Sequence, residues 1–250
     1  LLDPKNQVHN RMTIRDGLRL SQAVTAMAKA SGVPEKDLNK VLKDWKKLGL
    51  PEWAKRGAEG FIFPDTYELP DKPSAARVVK LATDQFTSVT DDLDFLDGAR
   101  ALGYSPYQVL VMASIIEKEA GPRDEDRAKI ARVFYNRIEQ GIKLQSDATV
   151  AYANNTTGRV STTDAERALA SPYNTYYVKG LPVGPITSPS RKSLEAALHP
   201  AEGDWLFFAV VNLDTGETEF NVDKAGHDAT VAKWQAWCAK SDANKKKCFG

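Results

Sequence analysis

The sequence is poor in the residue types on which several large classes of chemistry depend. Its 250 residues include two cysteines, three histidines and three methionines. Zinc centres draw on clusters of cysteine and histidine, and no CxxC spacing is present, so neither a metal centre nor any other cofactor is expected. Cys238 and Cys248 lie close together near the C-terminus; in an exported protein they could pair, and otherwise they are two separate thiols. An excess of either charge is lacking too. The 34 Lys and Arg against 33 Asp and Glu leave a net charge of +1, which gives no electrostatic case for nucleic acid. The basic run Lys245-Lys246-Lys247 reads as a solvated terminus. No apolar run approaches the roughly 18 residues of a membrane-spanning helix. The chain opens on Leu1-Leu2-Asp3, without the charged, apolar, small-residue order of a secretory leader. Several catalytic patterns are missing as well: HExxH, GxSxG, GxxxxGK[ST], and any serine followed three positions later by lysine.

What is present is an ordinary globular composition, 42% hydrophobic and 27% charged. That length suits one sizeable domain, or a main domain with a small companion. Between Thr13 and Leu48 the pattern is a helical hairpin. Ser21 stands as an N-cap before Ala23, Val24, Met27 and Ala28, Gly32 stops the first helix, and Pro34 opens a second with Leu38, Val41, Leu42 and Trp45. FIFPDTYELP, residues 61–70, carries two prolines among alternating aromatics and reads as extended. A helix is expected from Ser74 to Phe86, and the acidic stretch 91–98 reads as a short solvated helix or connector.

The clearest helix runs from Pro106 to Ala120. Ser105 and Gln108 have capping-box spacing, and the residues from Val109 to Ile116 are apolar nearly all round, as in a helix through a core. A second helix, 126–140, places Ile130, Ala131, Phe134 and Ile138 on one face and ends at Gly141. Thr163 and Glu166 begin a brief helix, and Ser190 caps another over 191–198. Trp205–Asn212 reads as a buried strand, hairpinned through 214–217 to a strand over 218–222. A last amphipathic helix starts near Asp228 and carries Val231, Trp234 and Trp237. The fold class is α+β, helix-rich, with a small β-hairpin.

Carboxylate chemistry is what the absences leave. Glu117 and Glu119 lie at the end of the core helix, where positions two apart point about 200° away from each other. They cannot act as one pair. A carboxyl in a last helical turn meets the negative end of the macrodipole, and partial burial also disfavours ionisation. Both effects keep a proton on the group near neutral pH, as a general acid requires. Ion pairing with Lys118, Arg123 or Arg127 is the plain alternative, and spacing alone does not choose between the two.

A set of longer segments does. ASIIEKEAG (113–121), RVFYNRI (132–138), LQSDATVAY (144–152), SPYNTY (171–176), GLPVGPITSPS (180–190), AALHP (196–200) and FNVDKAGHDATV (220–231) follow in order, with FIFPDTYELP upstream. Together they resemble the YceG-like (MltG) family of endolytic murein transglycosylases over most of 61–237. The hairpin of residues 13–48 resembles the middle of a LysM module, a βααβ unit that recognises N-acetylglucosamine polymers. The expected organisation is a partial LysM-like unit over 1–52, a catalytic domain over 53–240 and a tail over 241–250.

The resemblance implies that the second glutamate, Glu119, is the catalytic acid and base and that Glu117 is structural. It implies cleavage of the β-1,4 bond after N-acetylmuramic acid inside a glycan strand, closing a 1,6-anhydro ring without a second carboxylate. Gln145, Ser146, Asp147, Thr149, Tyr173, Asn174, Thr175 and Tyr176 are the expected substrate-binding groups, the first four able to orient either Glu119 or the acetamido groups of the sugar. Gly180, Pro182 and Gly184 are expected to shape a loop, with His199 and His227 in structural roles. Ala148 stands where the family often has proline. Peptidoglycan strands are the implied substrate and peptidoglycan synthases (penicillin-binding proteins) the implied partners. The implied location is outside the cytoplasm, anchored to the membrane through a segment that this sequence does not contain. Two alternatives remain: a hydrolase using Asp147 as a second carboxylate, and a peptidoglycan-binding scaffold without catalysis.

Overall fold

The computed structural model describes residues 10–157 and 162–249. Contacts divide the chain into two units, Leu1–Glu117 with Gly184–Leu194, and Lys118–Val183 with Glu195–Gly250. This division differs from the boundary expected near residue 52, and the reason lies in strand pairing.

In the first unit, β1 (Arg11–Thr13) is followed by α1 (Leu20–Ser31) and α2 (Glu35–Lys43), and then by β2 (Thr66–Glu68). β1 and β2 are antiparallel, with Met12 opposite Tyr67. Those two side chains are buried while their neighbours along each strand are exposed, the period-two alternation of a sheet with one covered face. The helical hairpin is thus closed into a βααβ unit by FIFPDTYELP, a segment that the sequence placed in the next domain. Ser21 does not cap α1, which starts at Leu20. The open N–H groups there are met by two side chains, one within the helix and one outside it: Gln22 Oε1 takes Arg19 N–H at 3.0 Å and Glu59 Oε1 takes Leu20 N–H at 2.9 Å. Gly32 ends α1 with φ 72°, a left-handed conformation natural to glycine.

Helix α3 (Ala75–Asp92) begins at the Ser74 cap and runs past the expected end at Phe86. Its Val78, Val79 and Ala82 join Met12, Met27, Leu38 and Ile62 in one core. Helix α4 (Phe95–Ala101) is not merely solvated, because Phe95 and Ala99 are buried. Phe95 stacks on Trp53, which also meets Phe61 and Phe86. Helix α5 (Pro106–Glu119) is the expected core helix, and Val109 to Ile116 are all buried. Its start is the expected capping box: Gln108 N–H donates to Ser105 Oγ and Ser105 N–H to Gln108 Oε1.

The second unit contains α6 (Asp126–Glu139), α7 (Asp147–Ala153) and α8 (Asp164–Arg167); α9 (Arg191–Leu198) begins in the first unit and ends in the second. Strands β3 (Phe207–Asn212) and β4 (Glu217–Asn221) form the hairpin, with Phe208 opposite Phe220 and an irregularity at Val210/Asn212. β3 is half-buried along most of its length rather than fully buried, since it belongs to a two-stranded sheet. Gly216 in the hairpin turn has φ 70°, and a Cβ there would come within 2.4 Å of Pro122. Helix α10 (Lys224–Ala239) starts ahead of Asp228 because Asp223 caps it, accepting from Gly226 N–H at 2.8 Å. The expected tail is instead α11 (Asp242–Phe249), tied to α10 by a Cys238–Cys248 disulfide. Among the described residues no helix is long and apolar enough to cross a membrane.

Candidate active site

Glu119 closes α5, and its carboxylate faces the beginning of α7. Ser146 Oγ donates to Glu119 Oε1 at 2.5 Å. Ser146 occupies the N-cap position of α7, yet its side chain makes no cap bond; the hydroxyl is committed to Glu119 instead. The backbone N–H of Ala148, in the first turn of α7, also donates to Glu119. Burial is the dominant influence and raises the pKa of Glu119. The Ser146 bond opposes this, nearby Asp147 adds to the rise, and Ala148 and Lys118 lower it; the net direction is upward. The sequence anticipated the direction. Ser146 is among the residues expected to orient Glu119, whereas the Ala148 N–H leaves no mark in the sequence.

Ser146 is itself held from below. Its N–H donates to Thr175 Oγ1 at 3.0 Å, and Thr149 Oγ1 donates to Ser146 O at 2.7 Å. The Thr149 and Thr175 hydroxyls lie 2.7 Å apart, and both residues are 0% exposed. Asn174, also 0% exposed, donates to the carbonyls of Arg167 and Leu169 and accepts Tyr176 N–H. These three residues therefore support the wall of the site from inside. Tyr173 packs its ring on Tyr152, with centroids 4.8 Å apart.

Glu119, Gln145, Ser146, Asp147 and Tyr176 come together around one cleft of about 440 Å³. Thr149, Tyr173, Asn174 and Thr175 are not part of its lining. Asp147 accepts from Thr162 Oγ1 at 2.7 Å and pairs with Arg167 at 3.4 Å. The Arg167 guanidinium also lies over the Tyr176 ring. Burial, followed by Asp147, which accepts a hydrogen bond from the phenol, pushes Tyr176 up to about 12, so it lines the cleft in neutral form.

The rest of the lining escaped the sequence reading. Arg137, Phe207, Phe208, Lys224 and His227 belong to it. His227, expected to be structural, stacks on Phe207 at 5.1 Å, and burial followed by Lys224 lowers its pKa. One signal could have found Arg137. It continues the Ile130, Phe134 spacing of α6, so a cation occupies an apolar helix face.

Glu117 has a different environment. Its Oε2 accepts from Ser190 N–H at 2.9 Å, Ser190 Oγ at 2.6 Å and Ser193 Oγ at 2.7 Å. The carboxylate thus meets open donors at the start of α9. Among the described residues no group of His, Cys, Asp or Glu could hold a metal ion.

Known proteins resemble this chain in both sequence and fold. Residues 1–233 match the YceG-like family. The chain is 32% identical over 240 residues to a Bacillus subtilis protein named endolytic murein transglycosylase, covering 90% of this chain and 65% of that protein. Over 180 residues it is 30% identical to a Streptococcus pneumoniae protein of the same name, covering 70% of this chain and 32% of that one. The chain therefore spans less than two thirds of these relatives. A crystal structure of a YceG-like protein from Listeria monocytogenes superposes with a TM-score of 0.79 at 30% identity, covering 90% of this chain and 77% of the other.

Proposed function

The chain belongs to the YceG-like family, and from that premise we propose that its second unit is an endolytic murein transglycosylase. The substrate is a peptidoglycan glycan strand, cut at the β-1,4 bond between N-acetylmuramic acid and N-acetylglucosamine. The protonated Glu119 donates to the leaving oxygen. The resulting carboxylate then removes the proton from the C6 hydroxyl of the muramic sugar, whose oxygen bonds to C1 and closes the 1,6-anhydro ring. Neither water nor a covalent enzyme intermediate enters the balance.

The observation that carries this reading is the asymmetry of the two carboxylates in the cleft. Glu119 has a raised pKa and lines the space, as an acid that must begin protonated requires. Asp147 is tied to Arg167 and Thr162, so it is poorly placed to hold a water or attack a sugar. A hydrolase would need that second carboxylate free. A Glu119→Gln protein is expected to release no anhydromuropeptides from sacculi while the parent does. Mass spectrometry of the parent's products decides between lyase and hydrolase, because hydrolysis adds one water to each new end.

The βααβ unit formed by β1, α1, α2 and β2 is the candidate glycan-binding part, matching the topology of a LysM module. Retention on insoluble peptidoglycan of a 10–92 fragment, which keeps α3 and its share of the core, would support this, and equal recovery from a cellulose control would refute it. Action on the cell wall places the chain outside the cytoplasm, where a disulfide such as Cys238–Cys248 persists. Membrane anchoring and work alongside peptidoglycan synthases, to end strands as they are made, complete the proposal.

A further inference from the structure

Arg137 is 7% exposed, and among the described residues no carboxylate pairs with it. Its guanidinium is held by backbone oxygens. Nε donates to Leu206 O at 2.6 Å, and Nη1 donates to Lys143 O and Leu144 O at 3.0 Å each. Nη1 also reaches Gln145 Oε1 at 3.3 Å, and the Phe207 ring lies 4.9 Å from the guanidinium carbon. A buried cation without a counter-ion is costly, and the acceptors around it replace water only while the guanidinium keeps its place. Every one of these contacts fixes either the run 143–145 or the entry to β3.

The next link is backbone strain. Gln145 has φ 54°, in the left-handed region that a non-glycine residue adopts at a cost. Ser146 follows it directly and carries the hydroxyl that lies 2.5 Å from Glu119. Relaxation of Gln145 to ordinary backbone angles would redirect the chain just before Ser146. Arg137 grips the two carbonyls before this strained residue and also its side chain. Thr175 holds it from the other side, accepting Gln145 N–H at 3.3 Å.

We propose that Arg137 is a positioning residue for Glu119, holding Gln145 in its left-handed conformation so that the Ser146 hydroxyl stays on the carboxylate. This rests on Glu119 being the acting acid and base, as proposed above. Arg137 has no part in the bond changes. Its role is to fix where the proton of Glu119 sits and how firmly it is held.

The test is the titration of Glu119, followed as its labelled carboxyl carbon by NMR in the described chain and assigned by the loss of one signal in Glu119→Gln. Arg137→Lys keeps a positive charge but cannot make the forked set of bonds. It is expected to raise the Glu119 midpoint by about one pH unit, as loss of a hydrogen bond to the charged form does. Ser146→Ala is expected to move it by a similar amount, and the double variant no further than either single one. Gln145→Ala, which leaves the buried guanidinium in place, tests the same chain of contacts should Arg137→Lys fail to fold. An unmoved midpoint in Arg137→Lys and Gln145→Ala, or additive shifts with Ser146→Ala, overturns the proposal. A higher KM with kcat and the Glu119 midpoint unchanged also overturns it, because Arg137 would then be a substrate contact. The titration needs no turnover, so a parent protein without anhydro products would refute the function while leaving this result readable.

Discussion

Ser146 heads α7, yet its hydroxyl is bonded to Glu119 and not to the open end of its own helix. An N-cap serine ordinarily contributes about 1 kcal/mol through the bond that is missing here. The first turn of α7 is therefore organised around the carboxylate of another helix. Ser146→Ala is expected to cost little stability and to lower kcat by roughly 10-fold, on the scale of losing one well-placed contact to an acid–base group. The alkaline limb of its pH–rate profile is expected to move upward, since a donor to the ionised form has been removed. A downward move in that limb would contradict the assignment.

Ala148 offers a second handle on the same carboxylate. Its N–H donates to Glu119, and a proline has no N–H to give. The first turn of a helix accepts proline readily. Ala148→Pro is thus expected to fold normally and to carry the activity optimum to higher pH. A matched pair of pH–rate profiles is sufficient to see it.

Glu117 and Glu119 are expected to separate in opposite directions when each becomes glutamine. Glu117 accepts three hydrogen bonds at the start of α9, and Glu117→Gln is expected to lose about 2 kcal/mol in urea unfolding, the scale of weakening bonds to a charged group. Glu119 has a folded pKa above its unfolded one. Its favourable contribution is full below the unfolded value and is lost as pH rises through the folded value. Glu119→Gln, which cannot ionise, is therefore expected to gain stability relative to the parent as pH rises through that window. Parallel unfolding curves at pH 4 and pH 8, with the same difference between the two proteins at both, would rule this out.

The Cys238–Cys248 bridge closes a short loop between α10 and α11. Loops of this size stabilise by roughly 2–3 kcal/mol in the chain-entropy account. The double serine variant is expected to lose protection from hydrogen exchange in α11 first. Its cleft residues are expected to exchange as in the parent.

How much of this was legible in the sequence depends on the range of each interaction. The capping box of α5 and the stop at Gly32 are local, so their residues announced them. The β1–β2 pairing joins Met12 to Tyr67 and leaves no mark in either segment alone, which is why a domain boundary was expected between them. Helix α7 is only 7 residues long, too short to show a helical period in the sequence. The start of α10 lies earlier than its apolar pattern suggests, because the cap Asp223 precedes the first apolar residue of that pattern by several positions. Among the site residues, Gln145, Ser146, Asp147 and Tyr176 reach the cleft, while Thr149, Asn174 and Thr175 lie behind it. Residue type suggests hydrogen bonding but not which side of a wall the group occupies. Arg137 was passed over because a charged side chain in a helix is presumed to face water.

The hairpin turn at Gly216 bears on Pro122, just beyond Glu119, with no room for a Cβ between them. The strand leading into that turn supplies Phe207 and Phe208 to the cleft. Residue 216 is therefore a shim of zero thickness under one jaw of the cleft. Any side chain there, already strained by the left-handed backbone, would have to push the hairpin turn away from Pro122, so the spacing between the segment after the acid and the strand that lines its cleft depends on a missing carbon atom.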